Sequence, residues 1–215
     1  MAHLDLEEQE QVDSLKAWWS MYGTLVTGLV TAAAIVVVGW QAWNWYQGGQ
    51  SAQAAAVYGV LEQGLRSNDA QKIKAASGEL TEKFSSTPYA ALGAMLAARQ
   101  SFDAGDLKTA KIQLQWVVDH GKNEIKDLAK LRLAAVLLDE NAPEDAIKLL
   151  EGGHAPDFAA RFLEMKGDVL AVQGKKQEAS QAYKSALEKL GQGNDEQRGF
   201  RELLQQKLES VGGAV

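Results

Sequence analysis

The chain contains no cysteine. That absence removes disulfide frameworks, thiol nucleophiles, cysteine-bound zinc and a lipidated N-terminal cysteine, and it is compatible with either side of a membrane. Proline is almost as scarce, with 3 in 215 residues, while Ala, Leu, Gln, Lys and Glu dominate from residue 51 onward. Such a composition favours helices and opposes a sandwich or barrel. No stretch alternates with period two for long enough to make a strand. Histidine occurs 3 times, at His3, His120 and His154, and none lies three to five residues from another, so a helical zinc pair is missing. His120 precedes Gly121, where a contact with a helix C-terminus is its expected role; His154 follows Gly152-Gly153 and is expected to be solvated. Gly-x-Gly-x-x-Gly, Walker A and Gly-x-Ser-x-Gly sequences are missing as well. No cofactor or metal is expected. Net charge is −6 with no basic cluster, so a phosphate backbone has nothing to bind and nucleic acid is not an expected partner.

Charge itself disappears for a long interval. Residues 1–16 carry Asp5, Glu7, Glu8, Glu10 and Asp13 against Lys16, a balance of −4, and the next charged residue is Glu62. The 22 residues from Trp19 to Trp40 make a helix of about 33 Å, against a hydrocarbon thickness of about 30 Å. Leu25, Val26, Leu29, Val30, Ile35, Val36, Val37 and Val38 together favour insertion by roughly 3 kcal/mol. Trp18, Trp19 and Tyr22 stand at one end, and Trp40, Trp43, Trp45 and Tyr46 at the other, where amphipathic rings prefer the headgroup layer. Ala52-Gln53-Ala54 resembles a signal cleavage site, but the apolar run exceeds the about 7–15 residues of a signal peptide and its leader is acidic. It is therefore read as a retained anchor. Lys16 before the span, with no Lys or Arg after it until Arg66, places the N-terminus in the cytoplasm. Thr24, Gly28 and Ala32 recur every four residues; this spacing suits close helix packing in lipid and equally the ordinary abundance of small residues in spans.

The expected organisation is an acidic cytoplasmic leader at 1–17, a transmembrane helix with aromatic flanks at 18–46, a short flexible linker at 47–50 (Gln47-Gly48-Gly49-Gln50) and a helical repeat domain at 51–215. Breaks are expected at Asn68-Asp69, Ser85–Pro88, Gly105-Asp106, His120-Gly121, Asn141–Pro143, Gly152-Gly153, Gly174 and Gly191–Asn194. Between them Leu163-x3-Gly167-x2-Leu170-x3-Gly174-x4-Ala179-x3-Tyr183-x2-Ala186 follows tetratricopeptide spacing. Ala98, Gly105, Ala110 and Leu114 occupy the same slots, as do Ala134, Asn141, Ala146 and Leu150. Ala110, Ala146 and Ala179 are 36 and 33 residues apart, close to the period of about 34. Gly167 and Ala179 are expected at the closest approach of two antiparallel helices, Tyr183 fills the gap to the next hairpin, and Ala182 falls off the contact. Residues 51–87 read as a degenerate helical pair and 195–211 as a closing helix. The fold class is thus all-α: one N-terminal transmembrane helix followed by a tetratricopeptide-like α-solenoid.

Five segments in this order resemble the YfgM family of ancillary Sec-translocon subunits: Gln11–Lys16, Gly39–Asn44, Tyr89–Leu92, Leu131–Ala134 and Gly167–Lys175. The likeness runs nearly end to end. It implies a single-pass inner-membrane protein of Gram-negative bacteria with its repeat domain in the periplasm. It further implies a non-enzymatic adaptor that partners the Sec translocon and a membrane-anchored periplasmic chaperone, and that hands newly translocated client proteins to periplasmic chaperones. The leader departs from the family in having Lys16 as its lone base before the span. Two other classes stay open from the residues alone, a structural subunit of another envelope complex and a tethered periplasmic hydrolase with an unrecognised carboxylate site.

In tetratricopeptide folds the inner-helix positions line a concave groove. Carried over by phase, these are Leu92, Met95, Arg99 and Phe102, then Leu128, Leu131, Ala135 and Leu138, then Arg161, Glu164, Asp168 and Ala171. The first two sets are apolar and the third charged, and the Lys/Asn/Arg set that clamps a C-terminal carboxylate is missing. Either the groove is open to a partner, or its leucines are covered by the chain's own terminal helices.

Overall fold

The computed structural model describes residues 6–190 and 197–213, with the side chains of residues 6–9 excepted. The expected break at Gly191–Asn194, the start of the closing segment at 195–196, and His3 and Asp5 of the leader lie outside the described residues. All described regular structure is helical. Contacts divide the chain at Gln50/Ser51 into two compact units.

The first unit is carried by α1, Leu6–Ser67, the one helix among the described residues long and apolar enough to cross a membrane. Its most apolar stretch has a mean hydropathy of 2.0 and is 6% buried, the opposite of a core helix in a soluble fold. Two hydroxyls within the span are satisfied locally. Thr27 donates to the Gly23 carbonyl at 2.7 Å and Thr31 to that of Thr27 at 2.8 Å, which removes the cost of free polar groups in hydrocarbon. The Trp19 indole lies over Gly23, where an added Cβ would meet it at 3.1 Å. Thr24, Gly28 and Ala32 are all exposed. At 47–50 the structure departs from expectation: the helix runs through Gly48 and Gly49 without a break. Two glycines cost about 1 kcal/mol each, yet the helix formers that follow, from Gln50 to Ala56, continue the hydrogen-bond ladder.

The second unit begins with the last part of α1 and α2, Ala70–Lys83. They form the degenerate pair, with Ala54, Leu61, Ala76, Leu80 and Phe84 in one cluster. Three hairpins follow: α3/α4 (Pro88–Asp103, Leu107–His120), α5/α6 (Asn123–Asp139, Pro143–Leu150) and α7/α8 (Ala159–Val172, Lys176–Leu190). The closing helix is α9, Arg198–Ser210. All three prolines of the chain start a helix or 3-10 turn, at Pro88, Pro143 and Pro156, where the missing N–H costs nothing.

The repeat phase is visible in the backbone. Gly105, Asn141 and Gly174 turn the three hairpins at φ +78°, +59° and +76°, the left-handed region that Gly and Asn tolerate best. Ala110, Ala146 and Ala179, five residues after each turn, are all 0% exposed. Two expectations change. An added Cβ on Gly167 would lie 2.4 Å from Cε1 of Tyr183, so the glycine makes room for that ring within its own hairpin. Tyr183 also joins Leu204 and Leu208 of α9 in one cluster, so it bridges to the next element as well. Ala182 is buried in the same cluster and is part of the contact.

Candidate protein-binding groove

The first two sets of groove positions lie on α3 and α5. Leu92, Phe102 and Leu128 are exposed, as is Arg99, while Leu131, Ala135 and Leu138 are half-buried. Met95 is 4% exposed and sits in the core with Ala91, Ala94 and Ala98, so it is not a groove residue. Helix α3 packs on both flanks through small alanines, and a bulky side chain at position 95 turns inward. Between α3 and α5, with Leu114 of α4 at its floor, is a pocket of ≈ 280 Å³ lined by Ala98, Arg99, Phe102, Asp103, Leu114, Arg132, Ala135 and Val136. Leu92 lines a separate, more polar hollow of ≈ 460 Å³ near Trp116 and His120. There the His120 ring stacks on Trp116 at 4.6 Å, its Nδ1 3.0 Å from the Trp116 carbonyl.

The third set is occupied by the chain itself. Lys207 of α9 donates to Glu164 at 2.9 Å and to Asp168 at 2.6 Å, and the Tyr183 hydroxyl donates to Asp168 at 2.8 Å. Arg161 lies 3.6 Å from Glu164 and its guanidinium sits 3.8 Å over the Phe200 ring. Leu204 and Leu208 anchor α9 at 0% and 1% exposure, each burial stabilising by about 1.5–3 kcal/mol. The charged end is therefore covered by the closing helix, and the leucines of the first two sets are not.

Burial lowers the pKa of the Lys207 ammonium, but its bonds to Asp168 and Glu164 outweigh this and hold it above the ordinary value. Burial, then the bond to Asp168, pushes the Tyr183 phenol up as well. Both groups keep their protons more firmly folded than unfolded. The stability this confers is whole below their ordinary values of 10.0 and 10.5 and drains away as pH rises through the raised folded values. Melting temperature should fall above pH 10, and Tyr183→Phe combined with Lys207→Met should flatten that fall; an unaltered slope in the double variant would contradict the clasp.

Three groups escaped the reading of the sequence. Lys207 lies some forty positions from its partners, and nothing local marks it. Asp127 and Lys130, 6% and 7% exposed, form a buried pair at 3.3 Å. Lys130 donates to the Gly153 carbonyl and Asp127 accepts from the Ala155 N–H at 2.8 Å, pinning the α6–α7 loop to α5. His154 in that loop is exposed, as expected, with one face of its ring 4.4 Å from the Phe162 ring of α7. The third is Arg132, and it had a signal: its neighbours at three and four positions either way are Leu128, Ala129, Ala135 and Val136, so its own helix offers it no carboxylate.

Known proteins agree with this architecture. The family described as tetratricopeptide repeat-like domain matches residues 16–213. A Neisseria gonorrhoeae protein named ancillary SecYEG translocon subunit is 34% identical over 208 residues, 96% of this chain and 98% of the relative. Proteins of the same name from Haemophilus influenzae and Escherichia coli are each 26% identical, over 84% and 95% of this chain and 89% and 96% of their own. These are non-catalytic relatives, named as subunits of a larger machine. With the repeat phase, the single apolar span and a near full-length match, the chain belongs to the YfgM family of ancillary SecYEG translocon subunits.

Proposed function

We propose that this protein is an adaptor of the Sec translocon, anchored by residues 18–46 with the leader 1–17 in the cytoplasm and the repeat domain in the periplasm. There it holds a membrane-anchored chaperone and newly translocated proteins, and passes the latter to periplasmic chaperones. The observation that carries this reading is the likeness to the named translocon subunits across the span as well as the repeats. Lys16 supports the orientation. The α3/α5 face, with Phe102 and Leu128 exposed beside a pocket, supports protein binding through these repeats.

Two measurements test it. A reporter active only in the periplasm, fused after Val215, should give signal; signal from a cytoplasm-specific reporter alone would reverse the orientation. The full chain, extracted in mild detergent, should copurify with SecYEG. Copurification with a different envelope assembly and none with SecYEG would replace the proposal.

A further inference from the structure

Resting on that adaptor reading, we infer that the α3/α5 pocket reads a specific chemistry: a peptide segment in which an apolar side chain stands next to a carboxylate. The walls accept the apolar part. Ala98, Phe102, Leu114, Ala135 and Val136 surround ≈ 280 Å³, at the lower limit of small-molecule sites. That space suits one or two side chains.

The carboxylate is called for by charge. The cations at the pocket are Arg99 and Arg132, and the acid is Asp103. Arg99 is already paired with Asp103 at 3.2 Å. Among the described residues Arg132 makes no ion pair, and apolar residues occupy every helical neighbour position that could supply one. The exposed bases Arg66, Lys83 and Lys148 elsewhere pair with Glu62, Glu79 and Asp145 on their own helices, whereas Arg132 stands at the pocket without such a partner. Arg132 is exposed at the rim; partial burial, and then Arg99, pulls its guanidinium below the ordinary value, and the attraction of an incoming carboxylate opposes that shift. A planar guanidinium at an apolar rim is suited to bidentate pairing. The site differs from a clamp for chain ends, since a single unpaired arginine serves an internal Asp or Glu equally well.

The full chain in detergent would be titrated against two labelled peptides, acetyl-Ser-Gly-Leu-Phe-Asp-Gly-Ser-amide and the same peptide with Asn for Asp, by fluorescence anisotropy. The Asp peptide should bind about tenfold more tightly, the difference a charge-assisted hydrogen bond makes. Arg132→Gln should abolish that preference and Arg132→Lys should retain part of it. Ala135→Trp, which fills the pocket, should weaken both peptides together. Equal affinity of the two peptides for the parent protein, or a preference that survives in Arg132→Gln, overturns the carboxylate reading and leaves the groove standing. Failure of both peptides to bind up to about 1 mM, corresponding to the weakest specific recognition, overturns the pocket as a peptide site while copurification with SecYEG is unaffected.

Discussion

Lys130→Ala should lower the stability of the repeat domain by about 3–5 kcal/mol, the usual cost of removing one partner of a buried ion pair. Without the ammonium the Asp127 carboxylate, 6% exposed, keeps the Ala155 N–H as its remaining described donor, and the Gly153 carbonyl loses the donor it has now. Asp127→Asn should be milder than Lys130→Ala, because the amide oxygen can still accept from Ala155. Urea unfolding of the chain in detergent, followed by circular dichroism, measures both. A loss under about 1 kcal/mol for Lys130→Ala, the range of surface pairs, would show that water reaches the site and that the loop is not pinned by it.

Gly167→Ala is expected to destabilise by about 1–3 kcal/mol through overpacking, although Gly to Ala within a helix ordinarily helps by up to about 1 kcal/mol. The reason is that the new Cβ falls 2.4 Å from the Tyr183 ring. That ring cannot swing aside freely, since its hydroxyl is held by Asp168 at 2.8 Å. Gly78→Ala is the control, because Gly78 also lies within a helix and nothing stands within 4 Å of its added Cβ. It should stabilise. A second variant, Tyr183→Leu, makes room, so the Gly167→Ala penalty should shrink in the double mutant. If Gly167→Ala and Gly78→Ala both stabilise, the contact is looser than the structure shows.

The repeat was legible in the sequence because its signals are local. A left-handed turn residue at Gly105, Asn141 or Gly174 and an alanine five positions on need no knowledge of the rest of the chain. The anchor was legible for a similar reason: charge is missing over an unbroken stretch, and aromatic rings bracket it. Gly48-Gly49 misled because glycine lowers helix propensity without forbidding helix, and the run of alanines that follows decides the outcome. Met95 misled because α3 is lined with alanine on both flanks (Ala91, Ala94, Ala97 and Ala98 are all buried), so phase alone does not tell a groove position from a core one. The clasp of Lys207 on Glu164 and Asp168 joins helices far apart in sequence, and nothing local signals such a pairing. Arg132 was legible in principle, through the apolar residues that surround it on its own helix.

The distribution of indoles has a spectroscopic consequence. Trp18, Trp19, Trp40, Trp43 and Trp45 all belong to the anchor, so the segment 51–215 carries one indole, Trp116. It is half-buried and stacked on an imidazole. Emission from a fragment lacking the anchor therefore reports on a single place, the far end of the first hairpin beside the hollow that Leu92 lines. There the arrival of a ligand in that hollow would register as a change in intensity, with no dye attached.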